Sequence, residues 1–178
     1  AKYGMGNPMG ARMMSGNTPL HDELEKVLSE FTSREDTMLL NFGYQGIMSC
    51  IDALVNRRDV IVYDAESHAC IVDGVRLHMG NRYAFKHNDI EDLERILSST
   101  RSDYQGAMIV AAGVFSMSGD IFRLPEFSAL AEKYKCRVYI DCAHALGVLG
   151  PKGQGTAHHF GAPDAVDIVM GTFSKSFA

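Results

Sequence analysis

Val166-Asp167-Ile168-Val169-Met170-Gly171-Thr172-Phe173-Ser174-Lys175-Ser176-Phe177-Ala178 is the last stretch of the chain and sets its reading. The run 166–170 has the length and apolar content of a buried strand, so the residues after it deliver Lys175, among hydroxyls and small side chains, to a strand's C-terminal edge. Open α/β sheets hold their ligands at that edge. A Walker phosphate loop also ends in Lys-Ser, but it needs a glycine directly before the lysine and another five residues before that. Ser174 and Val169 occupy those places, so the nucleotide-loop reading fails. On this stretch alone Lys175 is either an amine used in Schiff-base chemistry or an ordinary solvated lysine.

Working outward, Cys136-Arg137-Val138-Tyr139-Ile140-Asp141 reads as a strand that ends in an aspartate and is followed by Cys142-Ala143-His144. An imine-forming lysine, a strand-end aspartate and a nearby histidine are the parts a pyridoxal phosphate (PLP) site requires. The aspartate keeps the pyridine nitrogen protonated so that the ring accepts electrons, and the lysine holds the cofactor.

Composition bounds the alternatives. The 178 residues suffice for one domain, 46% hydrophobic and 22% charged, as in soluble globular proteins. No apolar run approaches the roughly 20 residues of a membrane span, and the polar N-terminus lacks a signal-peptide core, so a cytoplasmic location is expected. A net charge of −5, with no basic run beyond Arg57-Arg58, argues against nucleic acid as a partner. The four cysteines, at 50, 70, 136 and 142, lack metal-ligand spacing and read as reduced core residues. His158-His159 are adjacent, point to different helix faces and make a poor metal site, so no metal is expected.

From the N-terminus, residues 1–17 form a glycine- and methionine-rich segment. It departs from a dinucleotide fingerprint because its third glycine is one place too far on and no strand precedes it. Thr18 caps a helix with Pro19 at its first position and an apolar face of Leu20, Leu24, Val27, Leu28 and Phe31; His21 reads as a surface residue. Thr37 to Phe42 reads as a strand, and Gly43-Tyr44-Gln45-Gly46 leads from it into a helix whose free N–H groups suit a phosphate. Further strands are expected at 59–63, 82–86 and 107–112. Helices are expected after His68, after Asn88 or Asp89, and from Leu124-Pro125 to Tyr134. Strand and helix alternate about six times, which predicts an α/β fold: a mostly parallel sheet with helices on both faces. Gly43, Asp64, Gly113, Asp141 and Gly171 all fall at or just beyond expected strand C-termini and so converge on one edge.

Several motifs are similar to those of the α-oxoamine synthases, PLP enzymes of fold type I in the class I/II aminotransferase superfamily. The family pattern Asp-(Asp/Glu)-Ala-His-x-x-Gly-x-x-Gly stands here as Asp141-Cys142-Ala143-His144-Ala145-Leu146-Gly147-Val148-Leu149-Gly150. Gly-Thr-(Phe/Leu)-(Ser/Gly)-Lys stands as Gly171-Thr172-Phe173-Ser174-Lys175. Ser67-His68-Ala69-Cys70-Ile71-Val72-Asp73-Gly74 and Gly113-Val114-Phe115-Ser116-Met117 match two further patterns. The resemblance runs from Tyr3 to Ala178 and implies a PLP-binding large domain at 18–178. That domain is expected to be truncated, with the C-terminal domain absent and the segment 1–17 near a homodimer interface. By the same resemblance Lys175 holds PLP and serves as base, Asp141 pairs with the ring nitrogen, and His68 stacks on the ring. Ser116 and His144 face its phenolic oxygen, and Gly43, Tyr44 and Thr172 hold the phosphate. The implied reaction is acyl transfer from an acyl-CoA to an amino acid, with loss of carbon dioxide and CoA. Asn41 to Gly46, Asp73 to Gly80 and Gly171 to Ala178 look most like bacterial serine palmitoyltransferase-type members, hence sphingolipid-type synthesis from serine. Glycine C-acetyltransferase and 8-amino-7-oxononanoate synthase are the runners-up. Ala112, Ser118, Cys142 and Ala145 depart from the family residues, which keeps a non-catalytic partner subunit as an alternative. A Ser116/Asp141/His144 hydrolase has the right residue types but lacks Gly-x-Ser-x-Gly, because residue 114 is valine.

Overall fold

A computed structural model describes residues 10–177. They form two compact units, divided between Asn41 and Phe42; the glycine-rich expectation for 1–9 lies outside the described residues.

The first unit contains a single π-helical turn, Arg12–Gly16, and helix α1, Pro19–Thr32. A capping box starts α1, with Thr18 N donating to His21 Nδ1 at 3.2 Å, so His21 is a capping residue. Ser33 ends it in the left-handed region at φ 53°. No residue of α1 is buried, and Leu20 and Val27 are 62% and 54% exposed, against the core face expected of them. The strand expected at Thr37–Phe42 does not form. Leu39 explains why: its N–H donates to Glu25 Oε1 at 2.6 Å and its carbonyl accepts from Arg12 Nη1 at 3.1 Å. Side chains take the backbone groups that a ladder would have used.

The second unit is a five-stranded, wholly parallel sheet: β1 Val60–Asp64, β2 Asn81–Phe85, β3 Ala107–Ala112, β4 Arg137–Asp141 and β5 Ile168–Met170, in the order β2-β1-β3-β4-β5. Parallel strands need crossovers, here made by α3 Ala69–Leu77, α4 Ile90–Thr100, α5 Leu124–Tyr134 and the short α6 Thr156–His159. α2, Gly43–Leu54, precedes the sheet and packs on α3, where Gly74 brings the helices together: a Cβ there would lie 3.0 Å from Met48 Cα.

Strand parity divides the core. Ile61, Met108, Val110 and Tyr139 face α2 and α3 in one buried cluster with Ile47, Ile51, Ile71 and Val75. On the other side Phe127 packs against Phe85 and Phe122, with ring centroids 5.4 and 4.3 Å apart. Both faces are therefore covered, as near-continuous apolar strands require. Asp89 caps α4 by accepting from Asp92 N at 2.9 Å, while Asn88 takes φ 50° in the turn before it. Asp64, Gly113, Asp141 and Gly171 lie at or just past strand C-termini as expected; Gly43 does not, since no strand precedes α2. No helix among the described residues is long and apolar enough to cross a membrane.

Candidate active site

Register places the site. Asp141 is the last residue of β4, opposite Ala112 of β3 and Met170 of β5. Gly113 N donates to Asp141 O at 2.8 Å and Cys142 N to Met170 O at 2.7 Å, so the three strand ends are tied before their loops diverge. Asp141 shares the parity of Tyr139 and therefore leaves the sheet on the α2/α3 side, where His68 opens α3.

The loop after β5 folds back over the turn after β4. Ser176 Oγ donates to Leu146 O, and Gly147, at φ 78°, faces Ser176 so closely that a Cβ would collide with it. Gly171 likewise leaves room for Leu146. This packing brings Lys175 Nζ to 2.8 Å from His144 Nε2. An ammonium can only donate, so Nε2 accepts and His144 is neutral with its proton on Nδ1. Burial and the Lys175 cation both lower the His144 pKa, only partly offset by Asp141, and keep the ring in that form.

Asp141 is 6% exposed. Its Oδ1 accepts from Ala143 N at 2.9 Å, and no ion pair reaches it among the described residues. Burial raises its pKa, against the opposing pull of that hydrogen bond and of Lys175, His68 and His144. A buried carboxylate under such strain is relieved by a ligand atom that returns a cation to it, as a protonated ring nitrogen does.

His68 is the N-cap of α3, its Nδ1 accepting from Cys70 N at 3.3 Å and lying 2.9 Å from Cys70 Sγ. The acceptor role of Nδ1 leaves the proton on Nε2. Burial pushes the Cys70 thiol up to about 11, so it stays protonated. The Tyr44 ring stands edge-on to His68 at 6.1 Å, and Tyr44 Oη donates to Asp73 of α3.

Phe42, the α2 N-cap, supplies no side-chain bond. The N–H groups of Gly43, Tyr44 and Gln45 find no protein acceptor among the described residues, and Thr172 Oγ1 would lie 3.6 Å from a Cβ on Gly43. Free amides at a helix N-terminus beside a hydroxyl make a cradle for a phosphate. Ring-nitrogen partner, lysine and phosphate cradle together fit PLP. The structure thus brings together Asp141, His144 and Lys175 by direct or near contact, His68 with Tyr44, and Gly43 with Thr172. Ser116 lies apart, at the start of the exposed stretch 116–120 of the turn that follows β3.

Residues 7–178 match the model of the aminotransferase class I and II family. The chain belongs to that family. It is 51% identical over its whole length to a cysteate-C-fatty acyltransferase from Capnocytophaga ochracea, and 46% identical over 98% of its length to an 8-amino-7-oxononanoate synthase from Treponema denticola. A solved serine palmitoyltransferase from S. paucimobilis with PLP–myriocin bound superposes on 94% of the chain with a TM-score of 0.89 at 35% identity. The chain spans 43% and 44% of those two relatives and 42% of that structure. The cofactor of this family is PLP, and the chain's relatives are acyltransferases of the α-oxoamine synthase type.

What sequence reasoning missed is the cluster of Asp64, His87 and Asp120 at the same sheet edge. His87-Asn88-Asp89 reads as a plain turn and cap, and its partners sit 23 and 33 residues away. The only available signal was a second aspartate at a strand end.

Proposed function

We propose that the full-length protein joins the α-carbon of an amino acid to the acyl group of a long-chain acyl-CoA, releasing carbon dioxide and CoA. The observation that carries this reading is the Lys175–His144 contact beside the buried Asp141 carboxylate. Bound PLP supplies an electron sink that makes the substrate's Cα–H acidic. Asp141 would hold its ring nitrogen in the protonated state, and His68 would cover a ring face. The Gly43–Gln45 amides and Thr172 would hold its phosphate, with Tyr44 braced by Asp73. Ser116 would serve the ring's phenolic oxygen. Lys175, as the free amine left when the amino acid takes its place on the cofactor, would take the Cα proton. His144 offers Nδ1–H as a donor to the substrate carboxylate or the ring oxygen.

Serine is the amino acid suggested by the stretches around Gly43, Gly74 and Lys175. Cysteate is a second reading, supported by the 51% identity to the Capnocytophaga enzyme. Both are three-carbon amino acids with a polar group on Cβ, and they differ in the charge of that group. A shorter acyl partner, as in 8-amino-7-oxononanoate synthesis or glycine acetylation, is the runner-up. The proposal includes a homodimer with shared active sites, and a reducing cytoplasm suits four cysteines that form no disulfide among the described residues.

The test is the absorbance spectrum of the full-length protein with PLP, before and after borohydride, with Lys175→Ala as control. A band that reduction fixes on Lys175, seen by peptide mass, supports the reading, and serine, cysteate, glycine and alanine are then ranked by the spectral change each produces. A folded dimer that forms no such band refutes it in favour of a non-catalytic partner subunit.

A further inference from the structure

At the same edge of the sheet, on the face opposite Asp141, a second group of ionisable side chains converges. Asp64 ends β1 and is fully buried. It accepts from Glu66 N at 2.8 Å and Asn88 N at 2.9 Å, and its Oδ1 lies 3.1 Å from His87 Nδ1. The other nitrogen of the ring, Nε2, lies 3.2 Å from Asp120 Oδ2 and 3.9 Å from Glu66 Oε2. Three carboxylates, two from the end of β1 and the turn after it and one from the 115–120 turn, thus face one imidazole. A neutral ring could donate to only one of Asp64 and Asp120, whereas an imidazolium satisfies both. The geometry therefore calls for the cation.

The ring also supports a turn. Its edge meets the Phe115 ring at a centroid distance of 4.3 Å and 83°. Phe115 is 2% exposed, yet Ser116 to Asp120 after it are exposed. The turn closes on itself through Gly119 N to Phe115 O at 2.8 Å and Phe115 N to Asp120 O at 2.9 Å. What fastens it to the β2–α4 turn is His87 to Asp120, with Asn88 Nδ2 donating to Ile121 O and Arg123 N to Asn88 Oδ1, each at 3.4 Å. The charge-assisted bond is the short one of these. At its base Gly113 N is anchored on Asp141 O, so the turn rises beside the candidate cofactor site with Ser116 on it.

We infer that His87 is a positioning residue, an imidazolium clamp between Asp64 and Asp120 that fixes the 115–120 turn and thereby the placement of Ser116 toward bound PLP. The inference rests on the PLP reading above for the role of Ser116, while the clamp itself rests on geometry alone. Burial works against the cation, but the bonds to Asp64 and Asp120 and the charge of Glu66 outweigh it and raise the His87 pKa above its ordinary value. With a raised pKa the clamp is complete at and below the ordinary histidine range and opens as the pH rises through the folded-state value.

The experiment uses the full-length protein with PLP and three forms: wild type, Asp120→Asn and His87→Gln. Asp120 is on the surface, so Asp120→Asn removes half the clamp without threatening the fold. Amide exchange of residues 116–120, corrected for intrinsic base catalysis, reads the turn; the PLP absorbance band, titrated over the same pH range, reads Ser116. The clamp predicts about tenfold faster exchange of 116–120 in Asp120→Asn at neutral pH. In wild type, exchange and band should change with one shared midpoint. That midpoint should move to lower pH in Asp120→Asn and vanish in His87→Gln. Exchange that is the same in all three forms overturns the clamp. Exchange that responds while the band does not overturns the positioning of Ser116. Failure of wild type to form any PLP band refutes the proposed function and with it the role of Ser116, and is told apart from failure of the clamp by the exchange rates, which need no cofactor.

Discussion

Gly147→Ala and Gly161→Ala form a matched pair that isolates what holds Lys175 in place. Both glycines lie in the left-handed region, at φ 78° and 64°, so an alanine at either incurs a similar backbone penalty of about 1–2 kcal/mol. At Gly161 nothing lies within 4 Å of the new Cβ. At Gly147 the methyl group would lie 2.8 Å from Ser176 Cβ and closer still to its hydroxyl, so Ser176 must move and lose its bond to Leu146 O. That bond contributes about 1 kcal/mol, and the local repacking about 1 kcal/mol more. Gly147→Ala should therefore cost about 2 kcal/mol beyond Gly161→Ala, roughly a thirtyfold difference in the opening constant of the loop. Amide exchange of residues 171–177 in the full-length protein measures it directly. Trapping of PLP on Lys175 by borohydride should fall in the first variant and not in the second. If the two variants exchange alike across 171–177, the loop is not seated on Gly147, and the account of how Lys175 reaches His144 is wrong.

Three further outcomes follow from burial and charge. Because burial raises the Asp141 pKa, its contribution to stability is complete below the unfolded-state carboxylate range and is lost as the pH rises through the folded value. Asp141→Asn should thus melt higher than wild type at neutral pH without PLP, with the gap closing toward pH ~4, while losing PLP-dependent activity; a lower melting temperature would count against a strained carboxylate. The Tyr139 hydroxyl is buried without a hydrogen-bond partner, its polar neighbour being the weakly bonding Cys50 thiol. Tyr139→Phe should be neutral or stabilising by about 1 kcal/mol in urea unfolding, and a loss of that size would reveal a real bond. In the first unit, the hydrogen bond from Arg12 holds the Glu25 pKa below its usual value despite some burial, helped by Leu39 N. This contribution is present above the ordinary carboxylate range and is lost as the pH falls through the lowered folded-state value, so protection of the Leu39 amide, corrected for intrinsic exchange, should drop on acidification and stay flat in Glu25→Gln.

The sheet was legible because its strands are short apolar runs ending in chemistry-bearing residues: all five strand positions were placed within two residues, and the strand-end rule put Asp141 and Gly171, with the segments that carry His144 and Lys175, at one edge. Local pattern failed where a distant side chain intervened. Thr37–Phe42 has the length and apolar content of a strand, yet Glu25 and Arg12 occupy the backbone of Leu39. The α1 stripe has helical spacing, yet spacing reports only that a face is apolar and not that anything covers it. The contacts that seat Lys175 depend on two loops, 144–147 and 171–177, whose approach is set by glycine at 147 and 171. A glycine in the sequence marks permission for such an approach without naming the partner.

The two strand-end aspartates show where a further reading was available. In the sequence Asp64 and Asp141 look equivalent, each closing an apolar run. In β4, Asp141 is two residues past Tyr139, which faces α2 and α3, so its carboxylate joins His68, His144 and Lys175. In β1, Asp64 is three residues past Ile61, which faces the same helices, so its carboxylate points the other way and meets His87. An odd offset against an even one separates the cofactor face from the clamp face. One sheet edge can then carry two charged constellations without mutual interference. The Asp141 group needs a partial cation delivered by a ligand, and the Asp64 group carries its own in His87. That difference is why the first is suited to chemistry and the second to holding a turn still.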